Sequence, residues 1–367
     1  MLMSSNTGFH NRAFDAGTLQ KLNIYASYLK SAVAVFLNLP PTSPVKSINI
    51  YDFFAGPGMD ALGRYGSPLL AIKTILEMAT APQTKHLWGK PIYFHFFDRK
   101  EKSINSLQKN IKDIFGDSLS SHPHIKIEFK TSDFETSFND HIEEIRKTNT
   151  ANILFIDQFG MAHFDMEKLI SLSKCYYTDC MVFMASSSLH RFKELQNRFS
   201  DMGYKFKNPK DYRHVHTQIL KAFREAPLEK KLFFGSFAFK KKTNIYGLIY
   251  FSGSRRGIDQ FLRLCWKEDP VEGLANFFLH EDQPNKDSQL LFAFKKTHIE
   301  NLQEQFKLFI LENHPISESA LYDKCCDLWM LPEHCEPVLK KLKDNKILQC
   351  SFRRPQPNQD REITYFS

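Results

Sequence analysis

Apolar residues near the start of the chain recur at helical spacing: Leu19, Leu22, Tyr25, Leu29, Val33 and Phe36 predict an amphipathic helix over residues 18–38. Pro40, Pro41 and Pro44 end it. From residue 48 the pattern changes to short apolar runs, Ile48–Tyr51, Ile92–Phe97, Ile125–Phe129, Ile153–Ile156 and Cys180–Ala185, with helical stretches between them. Strands alternating with helices predict an α/β fold whose largely parallel sheet is covered on both faces. Ser67-Pro68 reads as a helix start, with serine as the cap and proline in the first turn. Residues 232–239 and 245–251 flank Lys240, Lys241 and Lys242 and predict an antiparallel hairpin with a basic tip. After Gly257 the pattern is helical over 258–267 and 297–313, then again over 316–329 and from Leu331 onward. Two short strand-like runs follow, 347–352 and 363–366, with Arg353, Arg354 and Arg361 between them. Helix, turn, helix and basic hairpin form the outline of a winged helix. The expected organisation is a helical segment over 1–47, an α/β domain over 48–257, a helical linker over 258–315 and a winged-helix-like domain over 316–367.

The candidate chemistry lies where strands end. Ile48–Tyr51 runs into Asp52-Phe53-Phe54-Ala55-Gly56-Pro57-Gly58, an acid followed by a glycine turn. Glycine there admits positive φ and lets a ligand approach the backbone at Gly56 and Gly58. Asp98 closes the next strand, where a carboxylate accepts hydrogen bonds from ribose hydroxyls; Asp133 follows the third and could accept from an adenine amine; Asp157 closes the fourth. A lone acid at a strand end is more often a helix cap, but four in series after a glycine turn favour a nucleoside-binding crevice. A dinucleotide fingerprint needs a third glycine and an acid about twenty residues on, whereas Asp98 lies about forty residues after Gly58. No Gly-Lys-Ser/Thr phosphate loop occurs. S-adenosylmethionine (SAM) carries no phosphate and needs glycine, strand-end acids and an apolar wall, so it fits this pattern best.

Those residues resemble the three-Cys-motif partner protein family, which is similar to class I SAM-dependent methyltransferases with a Rossmann-like sheet. The resemblance rests on Asp52–Gly58, on Gly66-Ser67-Pro68-Leu69-Leu70-Ala71 and on Phe155-Ile156-Asp157-Gln158-Phe159-Gly160. Weaker likeness lies at Lys21-Leu22 through Tyr28-Leu29, at Tyr246–Ser252 and in the C-terminal helices. The family usually reads Asp-Pro-Phe-Gly where this chain has Asp157-Gln158-Phe159-Gly160. That element is similar to the Asp-Pro-Pro-Tyr of amino-methyltransferases, which implies that Asp157 and Gln158 orient a target amine and that Phe159 stacks on its base. Gln158 lacks the fixed φ of proline. The resemblance implies a SAM-dependent methyltransferase acting on a nucleic-acid amine, with a cysteine-motif protein as partner. A catalytically inactive subunit that binds nucleic acid or docks a partner through its winged helix is the alternative.

Charge and composition refine this picture. Of 367 residues 42% are hydrophobic, ordinary for a folded globular chain, and the 34 phenylalanines are mostly core, with Phe159 and Phe54 the candidates for base stacking. The formal net charge is +8, gathered at Lys205–His214, at Lys240, Lys241 and Lys242, at Arg255-Arg256, along Lys340–Lys346 and at Arg353, Arg354 and Arg361. Such clusters favour a polyanionic partner. Seven cysteines without a C-x-x-C pair fit reduced thiols better than a disulfide framework, and the adjacent Cys325 and Cys326 suit a single zinc ion poorly, so no metal site is expected. With no signal-peptide layout and no apolar run of membrane-spanning length, a cytoplasmic location without membrane contact is the expectation.

Overall fold

Asp15 caps the first helix, α1 (Ala16–Leu37), by accepting from the Thr18 N–H at 2.9 Å, and the buried stripe Leu22, Tyr25, Leu29, Val33 and Phe36 turns that helix onto a sheet. The structure is a computed structural model describing residues 13–81, 89–157, 164–185, 215–241, 244–275, 297–313, 315–359 and 361–365. Gln158, Phe159, Lys242 and the basic run Lys205–His214 therefore lie outside the described residues.

Strand and helix alternate as the apolar runs predict: β1 (Ser47–Asp52), α2 (Ser67–Thr80), β2 (Ile92–Asp98), α3 (Glu101–Ser120), β3 (Ile125–Thr131), α4 (Phe134–Ile145), β4 (Thr150–Asp157), α5 (Met166–Ser173) and β5 (Thr178–Ala185). Then come α6 (Val215–Arg224), the hairpin β6 (Phe233–Lys241) and β7 (Asn244–Ser252), and α7 (Arg255–Glu268). The sheet order is β3-β2-β1-β4-β5-β7-β6; β1 to β5 are mutually parallel, and β7 runs antiparallel to both β5 and β6.

Side chains alternate across the buried strands. Ile153 and Phe155 join the core shared with α1, α2, α3 and α7, whereas Leu154 and Ile156 join the core shared with α4, α5 and α6. A strand buried on both sides has no polar face, hence its continuous apolar run. α1 is also fastened by polar contacts: Tyr28 Oη donates to Asp179 Oδ2 at 2.7 Å and lies 2.5 Å from Tyr250 Oη. All three groups are buried, so this network is satisfied internally.

Beyond α7 lie α8 (His298–Glu312), β8 (Ile316–Ser317), α9 (Glu318–Asp327), α10 (Pro332–Asp344), β9 (Leu348–Gln349) and β10 (Glu362–Tyr365), the three strands pairing in the order β8-β10-β9. Four expectations need correction. Gly66, not Ser67, occupies the cap position of α2; Ser67 and Pro68 are its first residues. The helix expected over 316–329 starts at Glu318, because Ile316 and Ser317 pair with β10. α1 is integral to the sheet domain's core, and so is α7 through Ile258, Phe261, Leu262 and Cys265, which the boundary at 257/258 had cut away. α8 instead packs into the C-terminal core through Leu302, Phe306 and Ile310, so 258–315 is not one linker. The two modules meet at Trp329, whose indole N–H donates to the Phe234 carbonyl at 3.2 Å, while the Trp266 indole N–H donates to the Trp329 carbonyl at 2.8 Å.

Candidate functional site

The strand order reverses between β1 and β4, and in open α/β sheets such a reversal opens a crevice at the carboxyl ends of the strands. Register then sets the acids around it. Asp52 pairs with Phe96 on one side and Phe155 on the other, so Asp98 and Asp157 each extend two residues past it. Asp133 lies two residues past Thr131, the partner of Asp98. Asp52, Asp98, Asp133 and Asp157 thus line the carboxyl edge of four adjacent strands.

The turn after β1 is locked by packing. Gly56 and Gly58 have φ of 59° and 81°, in the left-handed region. A Cβ at Gly58 would lie 2.1 Å from Leu69 Cδ1 and 2.6 Å from Leu107 Cδ1, both buried. The absent side chain at Gly58 makes room for Leu69 of α2 and Leu107 of α3. The Gly66 N–H donates to the Gly58 carbonyl at 2.7 Å and ties the turn to the start of α2.

Asp98 is held by the same turn, accepting from the Gly56 N–H at 3.1 Å and the Lys100 N–H at 2.8 Å, one per oxygen. Each carboxylate oxygen retains a lone pair for a ligand. Asp133 caps α4, accepting from the Thr136 N–H and hydroxyl, both at 3.0 Å. Those bonds hold its exposed carboxyl below the usual range. The common structural role of a strand-end acid is thus filled here, again with lone pairs to spare. Phe54 stacks on Phe134 at 5.5 Å between centroids, so it forms part of the wall beside these acids.

Asp52 differs from both. It is fully buried; Oδ1 accepts from the Phe54 N–H at 3.0 Å, but Oδ2 has no hydrogen-bond partner among the described residues. Burial pushes its carboxyl up to about 7, against the pull of the Ser67 hydroxyl and the Phe54 N–H; Asp157 adds to the rise and Lys21 opposes it. The Tyr25 hydroxyl, equally buried and also without a partner among the described residues, is raised by burial and by the charge of Asp52.

Asp157 forms an ion pair through Oδ2 with Lys21 Nζ, which reaches across from α1 and lies 5.1 Å from the Phe183 ring centroid. The Lys21 and Asp157 side chains are 16% and 29% exposed, a half-buried pair at the mouth of the crevice. Lys21 was not singled out as a site residue from the sequence. Its signal was there: it precedes Tyr25 and Tyr28 by four and seven residues, a cation in phase with a buried stripe. Asp60 sets the approach of α1. It accepts from the Phe14 N–H at 2.7 Å and from the Arg64 N–H and Nε, while Arg64 also donates to the Phe14 carbonyl. Burial works against its charge, but these donors hold its carboxyl down at about 2.

The basic residues expected to meet nucleic acid fare unevenly. Lys240 is exposed near the hairpin end, and Lys241 is the last residue of β6. Arg361 donates to both oxygens of Glu318, a fully buried side chain, at 2.6 and 2.9 Å; Arg353 pairs with Glu336, and Arg354 lies 3.7 Å from Glu333. Arg361 thus ties down a buried glutamate within the C-terminal module, whereas the Arg353 and Arg354 side chains stay exposed in surface pairs. Among the described residues no helix is long and apolar enough to cross a membrane.

No protein-family model matches the chain, and no curated protein matches it. Solved structures are similar at low identity. The delta-N METTL16 MTase domain is 13% identical over 65% of this chain and 84% of its own, with a TM-score of 0.32. Human methyltransferase 10 domain containing protein is 11% identical over 66% and 85%, with a TM-score of 0.31. The N-terminal domain of EvdMO1 with SAH bound is 11% identical over 61% and 80%, at 0.28. Likeness this faint carries no weight beside the topology. Five parallel strands in the order 3-2-1-4-5, closed by an antiparallel 7-6 hairpin, make the Rossmann-like sheet of class I methyltransferases.

The residues fit SAM by their chemistry. Strand-end carboxylates at Asp98 and Asp133 offer acceptors, and the glycine turn offers positive-φ backbone.

Proposed function

We propose that the chain is a SAM-dependent methyltransferase acting on an amine of a nucleic-acid base. The single observation carrying this reading is the row of four acids at the carboxyl edge of a β3-β2-β1-β4 sheet, beside a glycine turn. In it Asp98 takes the ribose and Asp133 the adenine amine, while the buried Asp52 braces the cofactor turn through the Phe54 N–H. When bound, SAM supplies a methyl group on a sulfonium sulfur, a leaving group that needs no acid catalyst. The chain's own work is then to hold the acceptor. Asp157 Oδ1, which the ion pair at Oδ2 does not use, accepts an N–H of the amine and aims its lone pair. Order and proximity account for most of the rate in such a transfer.

We read the C-terminal module as a winged helix, a reading supported by its helices and its β8-β10-β9 pairing. The second reading, a catalytically inactive subunit that docks a partner protein through this module, is supported by Arg361, which is committed to the buried Glu318 of the same module.

Labelled methyl transfer from SAM to pools of cellular RNA, DNA and protein tests the reaction. The expected result is label in a nucleic-acid pool, lowered at least about 100-fold by Asp157→Ala, with binding of S-adenosylhomocysteine (SAH) kept within a few-fold. Label confined to protein, or an Asp157→Ala variant that transfers at the wild-type rate, contradicts it.

A further inference from the structure

Among the described residues, Lys21 is a feature of the crevice that neither the strand-end acids nor the glycine turn accounts for. It comes from α1, outside the sheet, and is held in place from both sides. On one side the Asp60–Arg64 clamp fixes Phe14, two residues before the helix. On the other, Tyr28 is bonded to Asp179 and Tyr250 in the core. Between these anchors the Lys21 ammonium reaches Asp157 Oδ2 and the face of Phe183. A half-buried lysine gives up hydration and side-chain freedom, and a surface-type ion pair would return little for that. Here the helix is already ordered, so the lysine is presented to a single carboxylate.

We infer that Lys21 is a positioning residue for methyl transfer: by occupying Asp157 Oδ2 it fixes the carboxylate plane and leaves Oδ1 to orient the acceptor amine. This rests on the reading of Asp157 given above. Lys21 touches neither the acceptor nor the methyl group in this scheme. It acts through Asp157, and its effect therefore vanishes when Asp157 no longer carries the charge.

The test is a double-mutant cycle in the full-length chain with Lys21→Met, Asp157→Asn and both together, plus Lys21→Arg. Three readouts are taken: thermal unfolding, calorimetric SAH binding, and labelled methyl transfer at saturating SAM to the nucleic-acid pool that accepts label. Lys21→Met is expected to lower kcat about 100-fold while SAH binding changes less than about threefold. The double variant is expected to be no slower than Asp157→Asn alone, and Lys21→Arg to recover transfer to within about tenfold of wild type. In melts, Lys21→Met strands a half-buried charge and lowers Tm by about 3 °C, and adding Asp157→Asn recovers that loss. Additive losses in the double variant would overturn the proposal, as would SAH binding falling in step with transfer, which would assign Lys21 to the cofactor. Unchanged transfer in Lys21→Met would also overturn it. No label in any pool with wild-type protein would instead remove the methyltransferase reading itself, and this role with it; the Tm cycle would then report only a structural tie.

Discussion

Asp52→Asn should make the protein more stable above pH 8, by about 4 kcal/mol, and leave its stability near pH 4 almost unchanged. The cause is the burial of a carboxyl whose Oδ2 has no partner. Its ordinary value of 3.8 is raised to about 7 in the folded chain, so the folded state holds this proton more tightly than the unfolded state does. That preference favours folding fully below pH 4, fades as pH rises from 4 to 7, and is gone above 7, where the folded chain must bury a charge. Asparagine keeps the acceptor for the Phe54 N–H and carries no charge to bury. Denaturant unfolding of both proteins at pH 4, 6 and 8 measures the effect; parallel profiles for wild type and variant would contradict it.

Gly58→Ala should cost about 3 kcal/mol. Two penalties combine. The backbone there has φ of 81°, and the new methyl would meet Leu69 and Leu107 where both are fully buried. The leucine tips can turn aside, but only by disturbing the packing of α2 and α3 against the sheet. Because the turn also presents the Gly56 N–H to Asp98, SAH affinity should fall with stability. Urea unfolding checks the first effect, and a loss under about 0.5 kcal/mol would show that the turn is not packed as described.

Much of this was legible in the sequence for physical reasons. Strands buried on both faces have to be continuously apolar, so Ile92–Phe97 and Ile153–Ile156 announced themselves, and the acids ending them came with register intact. The hairpin at the sheet's edge was readable from two long apolar runs around lysines. What the chain concealed were relations between distant positions. Nothing local shows that Gly58 faces Leu107, that Asp60 holds Phe14, or that a lysine in the first helix closes on an acid 136 residues away. The arginines of the last hairpin looked like a phosphate-binding set; their glutamate partners Glu318, Glu333 and Glu336 lie on helices before it, close only after folding. Local periodicity also misassigned Ile316 and Ser317, because two-residue strands exist only through their pairing partner.

The central claim is that the crevice at the β1–β4 reversal binds SAM through its strand-end acids. Isothermal titration of the full-length protein with SAH and SAM measures this directly, with Asp98→Ala as the comparison. The expected result is saturable binding of both ligands by the wild-type chain, weakened by about 1.5–3 kcal/mol in Asp98→Ala, the scale of hydrogen bonds to a charged group. No binding heat from either ligand at millimolar concentration with wild-type protein would contradict the account.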